Sequence, residues 1–242
     1  MSADSPILDI AHVAIETTGR LGSVAVLRGQ RIIRKVNLSP DQRSASTLAP
    51  ALKEILEWCK QQGHPPSMVS VADGPGSFTG LRIGVTTAKT LCYALELPLV
   101  AVDSLAAIAA AALHEHSECH RIWAVLNAYR GQVFLGMFDR ETLLPDPSSI
   151  PMNWTSHPET TQMISQEDWD KQLEEKMHTV ALTGDHKPLG ARSVDALPRG
   201  CDAVGVGLLA IRAAAQEQFC DPMQLVPRYL KPSAAEEKAN ER

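Results

Sequence analysis

Gly74-Pro75-Gly76-Ser77-Phe78-Thr79-Gly80 is the stretch best suited to chemistry. A strand running into a glycine-, serine- and threonine-rich loop, and then into a helix start, lets backbone N–H groups converge on an anion. The helix dipole adds to the attraction. Gly74, Gly76, Ser77, Thr79 and Gly80 are therefore candidates to lie beside a nucleotide. The loop is not a Walker loop, because no Lys-Ser/Thr follows its last glycine. The same composition also serves a tight turn whose glycines only permit positive φ and close packing, so both readings stand. A second constellation is His114, His116 and His120 in the run HEHSECH. His116 and His120 are four apart, which on a helix shares one face and matches metal-ligand spacing. The HExxH pattern that would add a general base is missing, and a solvated helix end is the expected role. A serine nucleophile is not indicated, since Ser77 sits in no G-x-S-x-G elbow.

These groups need elements to position them. His12–Thr17, Leu21–Leu27 and Arg31–Leu38 read as three strands, with Arg28-Gly29-Gln30 at a hairpin turn. Leu48, Leu52, Ile55, Leu56 and Cys59 recur at helical spacing until Gly63 and Pro65-Pro66 stop the helix. A strand at Met68–Ala72 precedes the glycine loop, a helix spans Leu81–Leu95, and Leu99–Val102 is again extended. An alanine-rich helix at Ser104–His114 leads to strands at Ile122–Asn127 and Gln132–Phe138. Residues 143–163, rich in Pro, Ser and Thr, are expected to cross the surface. A short helix bearing Trp169, Leu173 and Met177 comes next, then a strand at Val180–Thr183 and a helix at Ala203–Phe219. The pattern predicts an α/β protein with mixed sheets and helices packed on them, in two lobes of related plan. The predicted parts are an extension over residues 1–11, an N-terminal lobe over 12–103, a C-terminal lobe over 104–232 and a disordered tail over 233–242. The 203–219 helix is expected to pack back on the first lobe.

Composition narrows the function classes. The chain has 242 residues, 44% hydrophobic and 21% charged, enough apolar content for a real core. No run approaches the roughly 20 apolar residues that span a bilayer, and the start lacks a signal-peptide pattern, so a cytoplasmic protein without membrane contact is expected. Five scattered cysteines form no CxxC pair and read as reduced thiols. The net charge of −5 and the lack of a Lys/Arg run predict no independent grip on RNA, so any tRNA contact would be indirect.

As a string, GPGSFTGLRIG over Gly74–Gly84 resembles the signature of the TsaB (YeaZ) family. His12–Thr17 with Gly22–Val26, Pro98–Leu105, Asn127–Val133, Thr183-Gly184-Asp185 and Pro227–Pro232 are similar to its other motifs, in order. The resemblance implies a two-lobed actin/Hsp70-like fold. It also implies a non-catalytic subunit that binds and activates TsaD in forming N6-threonylcarbamoyladenosine beside the tRNA anticodon, with the ATPase TsaE joining. No catalytic residue, metal or cofactor is then expected in the isolated chain, and ATP or ADP only within the complex. Glu16, Asn127 and Ser44 depart from the family's usual Asp, Asp and His, which weakens any case for independent hydrolysis. The HxxxH metal pair of TsaD-like proteins would fall just after Leu99–Val102, where this chain reads Asp103-Ser104-Leu105-Ala106-Ala107. The competing class is a stand-alone nucleotide hydrolase or metallopeptidase.

In the resembled family the two helices of the first lobe form the interface with TsaD, or a homodimer without it. Leu48, Leu52, Ile55, Arg82, Val85 and Lys89 are accordingly expected at or near that interface. On this expectation, Val85→Asp should abolish pairing and leave the monomer folded.

Overall fold

The computed structural model describes residues 10–19, 22–39, 44–129, 131–165, 167–168, 181–184, 196–197 and 202–231. The expected helix with Trp169, Leu173 and Met177, and the tail from Ser233, lie outside the described residues.

Strands β1 (Ala11–Glu16), β2 (Ser23–Arg28) and β3 (Arg31–Asn37) form an antiparallel meander. Gly29, at φ +55°, makes the β2–β3 turn that a side chain would disfavour. Helix α1 (Ser44–Gln61) crosses to β4 (Val69–Gly74), and α2 (Phe78–Leu95) crosses to β5 (Leu99–Asp103). Both new strands run parallel to β1, giving the order β3-β2-β1-β4-β5. After α3 (Ser104–Glu115) comes a second sheet. It contains β6 (Arg121–Tyr129), β7 (Gln132–Asp139), β8 (Gln162–Ser165), β9 (Ala181–Gly184) and β10 (Ala196–Leu197), in the order β10-β9-β6-β7-β8. Short α4 (Arg140–Leu143) follows β7, and α5 (Ala203–Ala215) completes the helices.

Strand alternation sorts the first sheet's side chains into two cores. Val13, Ile15, Val24, Val26, Val69 and Val71 pack on one face against Leu48, Leu52, Ile55 and Cys59 of α1 and Val85, Ala88 and Cys92 of α2. The other face presents Ala14, Ala25, Leu27, Ala72, Val100 and Val102 to α3 and α5, which also meet Ile122, Ala124, Phe134 and Phe138 of the second sheet. Helices apolar on every side belong in such a middle layer, and α3 and α5 are alanine-rich all round. Their backbones pass so closely that a Cβ on Gly205 would lie 1.8 Å from the Ala107 carbonyl oxygen. The layers run helices, sheet, helices, sheet.

Three expectations change. Helix α2 starts at Phe78 inside the glycine loop, because Ser77 caps it. Helix α5 stops at Ala215, four residues early. Residues 143–163 do not simply cross the surface: Trp154 and Ser156 are buried, and Gln162–Ser165 pairs with β7 as β8.

Candidate functional site

The glycine loop is packed against the chain itself. Its partner is the β1–β2 connection. The Ser77 N–H donates to the Thr18 carbonyl at 2.9 Å, and Thr17 Oγ1 donates to the Gly80 carbonyl at 2.8 Å. The Gly80 N–H in turn reaches Ser77 Oγ at 3.3 Å. A Cβ on Gly80 would sit 2.0 Å from the Thr17 carbonyl oxygen, and one on Gly76 2.6 Å from Thr18 Cβ. Gly74, at φ +138°, faces the Arg228 carbonyl oxygen, which a Cβ would meet at 2.3 Å. Thr79 is exposed on the first turn of α2. The glycines therefore serve close backbone approach, and several amides that an anion would need already donate inside the protein. Glu16 is buried and turned onto its own turn, accepting from the Thr18 N–H at 2.6 Å.

Next to this loop, at the C-terminal ends of parallel β4 and β5, lies an ionic cluster with buried carboxylates and half-buried basic side chains. Strand ends of this kind are where α/β sheets place polar sites. Asp73 ends β4, and Asp103 ends β5 and caps α3 by accepting from the Ala106 N–H at 2.8 Å. Arg228 Nη2 donates to Asp103 Oδ2 at 3.1 Å, its Nη1 is 4.0 Å from Asp73 Oδ1, and its N–H donates to the Asp73 carbonyl at 2.7 Å. His157 Nε2 lies 3.0 Å from Asp73 Oδ1, while its Nδ1 is 3.1 Å from Ser156 Oγ. Burial pushes the Asp103 carboxyl above its usual range, opposed by the Ala106 N–H and the nearby Arg228 charge. A cleft of about 580 Å³ opens over Asp73, His157, Glu159, Thr161 and Arg228. The cluster ties two distant segments, those of His157 and Arg228, to the sheet ends and sets each basic side chain beside a carboxylate.

Sequence reasoning assigned no role to Asp73, Asp103, His157 or Arg228. Asp103 and Arg228 did stand in the motifs Pro98–Leu105 and Pro227–Pro232, which was the available signal. His157 lies in a stretch without pattern, and only the fold brings it to Asp73.

The expected interface residues divide. Leu48, Leu52, Ile55 and Val85 are buried against the first sheet, so they lie beneath the surface of α1 and α2 rather than at it. A charge at Val85 would enter the core, and the expectation of a folded Val85→Asp monomer is corrected. Arg82 and Lys89 do lie on the outer side of α2, where they hold the segment 221–231. Arg82 Nε donates to Tyr229 Oη at 3.3 Å and its guanidinium lies over the Phe78 ring. Phe78 stacks on Tyr229 with ring centroids 4.6 Å apart. Lys89 Nζ donates to the Leu225 carbonyl at 2.8 Å. Around these contacts Tyr93, Met223 and Val226 are 79%, 76% and 68% exposed.

Helix α3 ends at Glu115, and the His116 ring nitrogens lie 3.4 Å from Glu118 and 3.9 Å from Glu115. Among the described residues no group of three or more His, Cys, Asp or Glu could hold a metal ion. Burial pushes the Cys92 thiol up to about 12 and raises Cys59 and Cys220 as well, which makes them poor nucleophiles. Among the described residues no helix is long and apolar enough to cross a membrane.

Residues 35–144 match the family model TsaD, tRNA N6-adenosine threonylcarbamoyltransferase. The tRNA threonylcarbamoyladenosine biosynthesis protein TsaB of Bacillus subtilis is 29% identical over 93% of this chain and 96% of its own length. The Escherichia coli protein of the same name is also 29% identical, over 53% of this chain and 55% of its own. A tRNA N6-adenosine threonylcarbamoyltransferase of Protochlamydia amoebophila is 30% identical over 32% of this chain and 22% of its own length. In structure, YeaZ from Pseudomonas aeruginosa superposes with a TM-score of 0.69 at 20% identity, covering 91% of this chain and all of that one. That likeness agrees with the two-lobed actin/Hsp70-like plan of sheets and helices. With motifs in order, the same fold and a relative alike over 93% of this chain, the protein is similar to the TsaB (YeaZ) family.

Proposed function

We propose that this chain is an accessory subunit that binds and activates a TsaD-type threonylcarbamoyltransferase, and that it is not itself the catalyst. The observation that carries the reading is the self-packed glycine loop. Gly74, Gly76 and Gly80 face Arg228, Thr18 and Thr17 at distances that leave no space for a side chain, so the loop acts as a structural joint. The neighbouring carboxylates, Asp73 and Asp103, are engaged by His157 and Arg228 of the same chain. The relatives' names supply the pathway, tRNA threonylcarbamoyladenosine biosynthesis.

The partner would cover the outer side of α2 together with segment 221–231, where Tyr93, Met223 and Val226 expose apolar surface around Arg82 and Lys89. The same face would pair two copies when TsaD is absent. Nucleotide and the ATPase TsaE would join only at the assembled complex.

The test is co-expression with the TsaD-type transferase of the same organism, sizing of the product, and assay of tRNA threonylcarbamoylation with and without this chain. A stable heteromer that restores modification, from a chain inert alone, is the expected result. ATP or peptide hydrolysis by the isolated chain, lost in Ser77→Ala or His116→Ala, would replace this reading with the stand-alone hydrolase.

A further inference from the structure

The β2–β3 hairpin concentrates positive charge in a chain whose net charge is −5. From Ser23 to Asn37 it carries Arg28, Arg31, Arg34 and Lys35 and no acidic residue. No three of these are consecutive, so the sequence shows no run, but the register aligns them. Arg28 pairs directly with Arg31, and Val26 pairs with Arg34. Val26 points toward α1, so Arg28, Arg31 and Arg34 share that outer face. Lys35, opposite Ala25, turns to the inner side and meets Asp202 at 2.5 Å.

The outer row is partly preset. Arg34 Nη2 donates to Glu54 at 2.6 Å, and its guanidinium lies 5.6 Å from the Trp58 ring centroid. Arg28 and Arg31 are exposed at the hairpin tip, and β3 is the edge strand of its sheet. Arginine forks match phosphate oxygens two at a time. A row of three guanidiniums, with Gly29 and Gln30 at its end, suits a backbone of repeating charge better than an acidic peptide.

We propose that the outer face of this hairpin, through Arg28, Arg31 and Arg34, contacts the phosphate backbone of tRNA. This rests on the reading that the chain serves tRNA threonylcarbamoylation, and it replaces the expectation that tRNA is met only indirectly.

The probe is an unmodified tRNA transcript, titrated with the full chain alone and with the chain mixed with its transferase, between 50 and 200 mM salt. Arg28→Gln/Arg31→Gln should weaken binding about five- to tenfold at low salt and lower the slope of log affinity against log salt by about 2. Lys53→Gln/Lys60→Gln on α1 is the control and should change neither. The hairpin variant should melt no earlier than the parent and still co-purify with the transferase. An unchanged affinity and slope in that variant overturns the proposal while the accessory-subunit reading survives. No tRNA binding by the parent in either form also overturns it. Equal competition by polyglutamate and RNA at matched charge overturns it in favour of an acidic peptide. Failure of the parent chain to join the transferase strikes the accessory reading instead, and the salt slope of the chain alone still decides the hairpin.

Discussion

The two ends of helix α2 have opposite characters. At its start, Ser77, Gly80 and Gly84 press against Thr17 and Thr18, and the adjoining Asp73 and Asp103 are paired with His157 and Arg228. Along its outer side, toward the far end, Tyr93 and the neighbouring Met223 and Val226 stand in solvent. The loop is a packed joint, and the exposed apolar surface lies on the outer side of the helix. A glycine-rich loop before a helix is therefore weak evidence for a ligand until its neighbours are known.

The sharpest way to break this contrast is to place the same charge at two points on α2. Val85→Asp should unfold the chain, at a cost above about 4 kcal/mol, because a carboxylate would enter the core without a partner. Tyr93→Asp should leave stability within about 0.5 kcal/mol and abolish co-purification with the transferase. Chemical denaturation and sizing read both, and a folded Val85→Asp protein would remove the distinction between buried and outer faces.

A second test uses pH on the inner face of the same sheet. His12 is fully buried, with Nε2 3.2 Å from the Gly207 carbonyl oxygen, and burial lowers its pKa to about 4. The unfolded chain protonates His12 near pH 6.5, which the native state resists until about pH 4. Stability present above pH 6.5 is therefore lost as pH falls to about 4, by roughly 3 kcal/mol. Denaturation midpoints across that range should show the slope in the parent and a flatter one in His12→Leu.

Smaller effects probe the joint itself. Gly80→Ala should cost about 2 kcal/mol, since the new methyl collides with the Thr17 backbone. Ser77→Ala should cost about 1 kcal/mol, because only the cap to the Gly80 N–H is lost. If Gly80→Ala melts like the parent, the loop has room to spare and an anion site there becomes credible again.

Much of the fold was legible in advance. The order of strands and helices through Asp103 followed from apolar spacing and from Gly63, Pro65 and Pro66, because periodicity reports which face of each element is buried. The hairpin at Gly29 and the alanine-rich helices were equally plain. The candidate site was less so. Leu48, Leu52, Ile55 and Val85 were assigned to an interface, yet the spacing that marks an apolar face does not say whether a sheet or a partner covers it. Strand β8 and buried Trp154 hid in a Pro- and Ser-rich stretch, since pairing with β7 supplied an order that local propensity does not contain.

The sequence by itself determined the α/β alternation, the motifs shared with the TsaB (YeaZ) family, and the lack of any CxxC pair among its cysteines. These rest on local pattern and side-chain chemistry, which a linear string carries. Only the tertiary structure decided that the glycine loop is filled, that His157 and Arg228 meet Asp73 and Asp103, and that three separated arginines share one face of a hairpin. Each depends on register, or on contacts between residues far apart in the chain, 125 positions for Asp103 and Arg228, and such contacts are set by packing rather than by neighbours in the chain.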